Sequence, residues 1–419
     1  MLQRIDSILD VDFTPQISFR YHTNDGRKIF VFDKILKTKH LGLFLEYLNV
    51  DLGSWQFRLY EPYDGGIEEP MDNIPWINPV DCLEFSGTLV GRTVQKAVMD
   101  AAGTEDIYYP YKVRGKIMRR GDFTKLHTDA NRTDDEFSAL MFLNPTWRKN
   151  DYGELYLYDE DTEIVAGAVP KFGRLVVWQS SISYLPRPPS IAFKKGQVLL
   201  HVQFTKSKEK MLKGHAEIVA SKNERKAAYN AGFIGSDKPA PANINVTQHF
   251  VSEHKSTQGK RILVFDDLFN KEDLDKLRAF IFKHGTYYYD DSDEGDNDSD
   301  NVQWIAGFEI NDYIQSRLWN IMQQTLKHVT GQDKWFPYDI SCNLIRSADH
   351  TRIHQDCEPH EDEWTYLIYL TPNWTKNDYG ETAFYETMTN NNEIITEVRP
   401  KYGRAVVFQG KLVTHFCRM

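Results

Sequence analysis

The sequence predicts an α+β protein of two tandem double-stranded β-helix (jelly-roll) domains, each with supporting N-terminal helices. Three observations lead there. The hexapeptide Lys-Asn-Asp-Tyr-Gly-Glu occurs at 149–154 and again at 376–381. Each occurrence has a His-x-Asp upstream and a Pro-Lys-(Phe/Tyr)-Gly-Arg run downstream, so the chain is internally duplicated and can be aligned with itself. Within a copy, helix-period stretches precede short aromatic or β-branched segments that stop at Gly, Pro or Asn, the pattern of helices backing a β-sandwich.

A chain of 419 residues suggests two domains. An aromatic content of 13% leans toward β-rich packing. The formal charge, 50 − 60 = −10, argues against a general nucleic-acid binder, which needs excess Lys and Arg to neutralise phosphates. Four cysteines (Cys82, Cys342, Cys357 and Cys417) form no Cys-x-x-Cys, so no disulfide framework or thiolate zinc site is expected. Without an apolar signal or a membrane-length apolar run, the sequence reads as intracellular, cytoplasmic or nuclear, with no membrane partner.

Residues 1–26 read as a leader. The first copy, 27–205, opens on the apolar strand Ile29–Asp33; the second, 259–419, opens on Ile262–Asp266. In the second copy Asn270 is placed to cap a helix whose Leu274, Leu277, Phe280 and Ile281 recur at helical spacing. A second helical stretch runs from Tyr313 to Thr330. Trp364–Leu370 and Arg404–Phe408 then read as strands. Residues 206–258, Lys- and Ala-rich and then Pro-rich, read as a partly helical connector. The acidic cluster between Asp290 and Asp300 reads as a solvated loop.

The chemistry concentrates in His354-Gln-Asp356 and the later His415. Residues i and i+2 of a strand share a face, so His354 and Asp356 can reach one ion, and a jelly roll can return a distant His to it. Two imidazoles and a carboxylate on one face suit non-haem Fe(II). The second His-x-Asp, His360-Glu-Asp362, is distinguished by the duplication. His127 and Asp129 lie 354 − 127 = 227 residues before His354 and Asp356, the offset that also relates Trp147 to Trp374; the same offset from His360 reaches Thr133.

The order His-x-Asp, apolar strand, Trp-x-Lys-Asn-Asp-Tyr-Gly-Glu, Pro-Lys-Tyr-Gly-Arg-Ala-Val-Val-Phe and His resembles the 2-oxoglutarate/Fe(II)-dependent dioxygenases of the prolyl 4-hydroxylase type, well over 335–419 and partly over 112–205. The resemblance implies Fe(II) held by His354, Asp356 and His415, 2-oxoglutarate as co-substrate and ascorbate as reductant. It also implies hydroxylation of an unactivated C–H bond in a protein or peptide substrate, with proline the expected side chain. The layout is similar to tandem-domain prolyl hydroxylases in which one domain is a degenerate copy.

Each copy departs from that pattern. The first has His127 and Asp129, but Tyr184 falls in or next to the distal His slot, and a phenol of pKa about 10 is a poor ligand. His201 is an alternative there or a buried structural residue. The second copy stops at Met419, before the strand that in the family carries a basic residue for the far carboxylate of 2-oxoglutarate. The first copy keeps that strand, with Gln197 near the basic slot and Lys194 and Lys195 as alternatives. In the second, Arg346, the counterpart of Arg119, is either the carboxylate's partner or a surface residue at a strand end. The missing strand leaves a sheet edge that a homodimer or interdomain contact would cover. These departures keep a second reading in view: an inactive duplicated pseudo-oxygenase that binds a protein partner.

Overall fold

In the computed structural model the chain divides into two units, Met1–Glu224 and Arg225–Met419. The structure describes residues 17–48, 55–57, 76–229 without 123 and 194, 243–289, 304–345, 351–387 without 352 and 359, and 393–416. Arg346, Lys194 and the Asp290–Asp300 cluster lie outside the described residues.

In the first unit the elements run β1 (Ile17–His22), β2 (Lys28–Phe32), α1 (Thr38–Glu46), β3 (Gln56–Phe57), β4 (Trp76–Val80), α2 (Cys82–Gly87), α3 (Leu89–Ala102) and β5 (Tyr109–Met118). They continue with β6 (Glu136–Phe142), β7 (Leu155–Tyr158), β8 (Ile164–Ala168), β9 (Leu175–Gln179), β10 (Ser183–Pro186), β11 (Gln197–Thr205) and α4 (Lys208–Tyr229). The large sheet has the order β1-β2-β9-β6-β11-β5-β4-β3, and a small sheet has the order β10-β7-β8. Ile29, Leu140, Val176, Trp178 and Leu199 of the large sheet share one buried cluster with Leu155, Leu157 and Ala166 of the small one. Helix α3, capped by Thr88, packs against β2, β6 and β9 with Val90, Val94, Ala97 and Val98 buried. These residues recur every three or four positions, so one helix face is apolar.

The second unit runs β12 (Phe250–Lys255), β13 (Arg261–Phe265), α5 (Lys271–His284), β14 (Tyr288–Tyr289), β15 (Trp304–Gly307), α6 (Ile310–Tyr313) and α7 (Arg317–Thr330). It continues with β16 (Ser341–Asn343), β17 (His354–Gln355), β18 (Trp364–Ile368), β19 (Thr382–Tyr385), β20 (Ile394–Val398), β21 (Ala405–Gln409) and β22 (Val413–Phe416). Its sheets have the orders β12-β13-β21-β18, β14-β15-β16 and β17-β22-β19-β20. The order β12-β13-β21-β18 matches β1-β2-β9-β6, and β22-β19-β20 matches β10-β7-β8.

Three expectations are corrected at their edges. β1 lies inside the stretch read as a leader, and β12 inside the stretch read as connector; both are hydrogen-bonded into sheets. The unit boundary falls inside α4, within the stretch read as a partly helical connector. The single helix expected over 313–330 is two, because Ser316 accepts a hydrogen bond from Trp319 N–H and starts a new helix.

The repeated motifs prove to be structural. Arg174 donates through Nε and Nη2 to Asp33, each at 2.9 Å, and Arg404 donates likewise to Asp266 at 2.8 and 3.0 Å. The Gly-Arg run therefore fastens the start of one central strand to the end of its neighbour through a bidentate ion pair. In the hexapeptide, Asp151 accepts from Arg148 N–H, and Tyr152 and Gly153 follow with φ of 56° and 79°. Trp147 Nε1 donates to the Tyr152 carbonyl at 2.8 Å; Trp374 does the same to Tyr379, whose φ is 54°. The tryptophans, expected beneath the sheet, instead lie half-buried over this turn.

Candidate metal centre

In the first unit, β5 and the loop to β6 carry His127 and Asp129 to the mouth between the two sheets. His127 pairs with Tyr184 as a single β-bridge. Its Nδ1 lies 2.8 Å from the Lys125 carbonyl, so that nitrogen carries the proton, and Nε2 faces the Tyr184 hydroxyl at 2.9 Å. The single Tyr184 hydroxyl proton is shared between that nitrogen and Asp129 Oδ1, which lies 3.1 Å away. Gln203 Nε2 donates to the same oxygen at 2.6 Å. Ser138 Oγ donates to Oδ2, and His201 Nε2 stands 2.9 Å from it. Burial opposes ionisation of Asp129, but the His201 charge and the bonds from His201 and Ser138 outweigh it and hold the carboxyl well below its usual range. Both carboxylate oxygens and the imidazole nitrogen are thus bonded to protein, and Tyr184 fills the space between them. This donor set does not fit a metal ion.

The second unit differs. β17 sets His354, 7% exposed, opposite Thr414 of β22. His354 Nε2 is 3.3 Å from Asp356 Oδ1. Asp356 Oδ2 accepts from Thr365 of β18, in the place of Ser138, and Asp356 N–H donates to the Gly410 carbonyl at 3.0 Å. His354 and Asp356 line a groove of about 820 Å³. An imidazole nitrogen and a carboxylate oxygen converging on an open groove do fit a divalent ion.

The side chain of His415, the expected third ligand, lies outside what the structure describes; only its backbone pairing is set. Thr414 is the residue paired with His354, and its Oγ1 is 3.4 Å from Nε2; His415 is one place along, paired with Ala383. Tyr184 follows Trp178 by 184 − 178 = 6 residues, and Thr414 follows Phe408 by 414 − 408 = 6. The two units therefore hold a tyrosine and a threonine at the same point of the fold. His360 is exposed on a turn, as the duplication implied. Arg119, the counterpart of Arg346, is 2% exposed at the end of β5.

Sequence reasoning missed Ser138, Gln203 and Thr365, and left His201 as a structural histidine. The signal for two of them was present. β11 reads QVLLHVQFT, and His201 and Gln203 stand two apart in a strand whose nine residues are all buried. Polar residues at i and i+2 of a buried strand must share a partner on one face.

Residues 114–228 match the family model described as 2OG-Fe(II) oxygenase superfamily. The match falls on the first unit, which has β11, rather than on the better-matching 335–419 expected from the motifs. No curated protein matches the chain. Among solved structures, a prolyl hydroxylase from Trichoplax adhaerens, in complex with a hypoxia inducible factor peptide fragment, is 16% identical, covers 44% of this chain and 86% of its own, and has a TM-score of 0.33. A Pseudomonas putida prolyl-4-hydroxylase is 17% identical over 49% and 100%, with a TM-score of 0.31. A viral collagen prolyl hydroxylase from Paramecium Bursaria Chlorella virus-1, in a 2OG complex, is 14% identical over 43% and 98%, with a TM-score of 0.30. Residues 114–228 are thus similar to the 2OG-Fe(II) oxygenase superfamily over about a quarter of the chain.

Proposed function

We propose that this chain is an Fe(II)- and 2-oxoglutarate-dependent dioxygenase built from two tandem copies of one jelly roll, in which the second copy holds the metal and the first is a platform. The observation that carries the reading is the 3.3 Å approach of His354 Nε2 and Asp356 Oδ1 at the wall of an open groove. Those two residues would hold Fe(II), with His415 proposed as third donor and Arg346 as the partner of the co-substrate's far carboxylate. The bound group would supply oxidative decarboxylation of 2-oxoglutarate coupled to C–H hydroxylation, with ascorbate keeping the iron reduced. The chain's own part is positional. Thr365 holds one oxygen of Asp356 and leaves the other facing His354. Trp364 and Leu367 supply apolar groove wall that limits water around the reacting bond. A protein side chain such as proline is the proposed substrate.

A second reading is favoured by one observation: Thr414, not His415, stands opposite His354. On that reading the second unit is an inactive oxygenase shell that binds a protein partner. Anaerobic titration with Fe(II) and 2-oxoglutarate separates the two. The enzyme reading expects a weak visible charge-transfer band, lost in His354→Ala and in His415→Ala and kept in Thr414→Ala, together with 2-oxoglutarate turnover in air. Absence of both band and turnover would overturn it. A band that survives His415→Ala would remove that residue from the ligand set.

A further inference from the structure

The segment His354–Asp356 is held from behind by the turn between β21 and β22. Asp356 N–H donates to the Gly410 carbonyl at 3.0 Å, and Gly410 N–H donates to the Glu363 carbonyl at 2.9 Å. The next carbonyl, that of Lys411, accepts from Gln355 Nε2 at 2.7 Å and from Lys260 Nζ at 2.9 Å. The first unit repeats this turn. Asp129 N–H donates to the Ser180 carbonyl, Ser180 N–H to that of Glu136, and Arg27 Nη1 to that of Ser181. The two turns differ by a reciprocal exchange. Cys357 corresponds to Ala130, since 357 − 130 = 227, and Gly410 to Ser180, since 410 − 180 = 230, the offset of Thr414 from Tyr184. The first unit therefore sets a serine on the turn against a methyl beside the carboxylate. The second has no side chain on the turn and a larger one, Cys357, beside the carboxylate. Space forces the exchange. A Cβ on Gly410 would lie 2.8 Å from Cys357 Sγ and 3.3 Å from Cys357 Cβ. Gly410 is not among the glycines of positive φ, so its backbone would accept a side chain and the Cys357 contact is what excludes one.

We propose that Cys357 is a positioning residue for the second unit's metal pair: its side chain, seated on Gly410, sets where the Asp356 carboxylate lies. The inference rests on the reading of His354 and Asp356 as metal ligands. Turning Sγ to another rotamer would relieve the closer contact with a side chain at 410, but not the contact at Cys357 Cβ, which moves only with the backbone. That backbone continues directly from Asp356, so crowding at 410 is passed to the carboxylate. The carboxylate has little slack, because Thr365 holds Oδ2 and His354 Nε2 stands 3.3 Å from Oδ1. Gly410 has a second effect. In the first unit Ser180 Oγ lies 2.9 Å from Ser138 Oγ, the donor to Asp129. Gly410 offers Thr365 no such hydroxyl, and the Thr365 proton goes to Asp356. Small groups that orient a ligand carboxylate govern metal affinity nearly as much as the ligands do.

The test is a mutant cycle on the full chain: Gly410→Ala, Cys357→Ala and the double variant, which carries the alanine of the first unit beside the carboxylate and a side chain on the turn. Anaerobic Co(II) binding is followed by visible absorption, exchange of the Asp356 amide by mass spectrometry without metal, and stability by urea melts. Gly410→Ala should weaken Co(II) binding and speed Asp356 exchange about tenfold each, and the double variant should return both to within about twofold of the wild type. Cys357→Ala alone should weaken Co(II) binding about tenfold, and Cys357→Ser, which keeps the size, should not. Four results would overturn the proposal: wild-type affinity and exchange in Gly410→Ala, a double variant no better than Gly410→Ala, weaker Co(II) binding that merely parallels a lower urea midpoint, or a thiolate-to-Co(II) charge-transfer band that makes Cys357 a ligand itself. A wild type that binds no Co(II) would instead defeat the metal reading, and Asp356 exchange across the cycle would then decide whether Cys357 and Gly410 position that residue.

Discussion

Tyr184 shows how one side chain decides whether a site can hold metal. Its hydroxyl lies between His127 and Asp129, and its ring packs 4.9 Å from Trp178 and 4.4 Å from His127. Tyr184→Phe removes the hydroxyl from a buried network and leaves its partners short of a bond. The expected cost is about 1–3 kcal/mol, read as a lower urea midpoint with an unchanged slope. Tyr184→His should not create a metal site by itself, since Ser138, His201 and Gln203 still occupy Asp129. Equilibrium dialysis with Co(II) or Fe(II) would check this; tight binding at the first unit would contradict the packing argument.

At the scale of elements, the duplicated motifs are joints of the scaffold. Gly153 sits at φ +79°, and a Cβ there would lie 2.6 Å from Gln197 Nε2 and 2.7 Å from the Trp147 ring. Gly380, at φ +78°, would meet the Trp374 ring at 2.8 Å, and among the described residues no strand carries a Gln197 equivalent against it. Gly153→Ala is therefore expected to cost more than Gly380→Ala, both on the order of 1–3 kcal/mol from positive φ plus crowding. Paired urea melts of the two variants give the comparison; equal costs would mean that Gln197 simply moves aside. The Asp33–Arg174 joint adds a pH dependence. The Arg174 hydrogen bonds lower the Asp33 pKa from 3.8 to about 2, and Asp266 is lowered in the same sense by Arg404. A depressed carboxylate stabilises the fold above its unfolded pKa and loses that contribution as pH falls through the folded value. For Asp33 the loss should run from about pH 4 to about pH 2. Arg174→Ala should flatten that part of the stability profile.

For the whole molecule, the two units are unequally finished. Among the described residues, the first unit's buried apolar cluster spans both of its sheets and includes β11, while the second unit's draws on β13, β19, β20 and β21 and has no such strand. Buried apolar area is the main stabilising term, so the second unit should melt first. Calorimetry should show two transitions, with Arg404→Ala lowering the earlier one and Arg174→Ala the later one by a few degrees each. A single transition shifted equally by both variants would show that the units unfold together.

How much of this was legible in the sequence follows from the range of each signal. The opening strands, the Asn270-capped helix and the His-x-Asp pairs could be read because their patterns are local, set by side-chain period and capping chemistry. The duplication singled out His354 over His360 as the candidate ligand without any structure. Strand register could not be read that way. A shift of one residue exchanges the faces of a strand, and only the pairing of β22 with β17 and β19 sets Thr414, rather than His415, opposite His354. The sequence by itself determined the duplication and the spacing of the polar residues His201 and Gln203. Only the tertiary structure decided that both residues meet Asp129, because a site is made by segments distant in sequence.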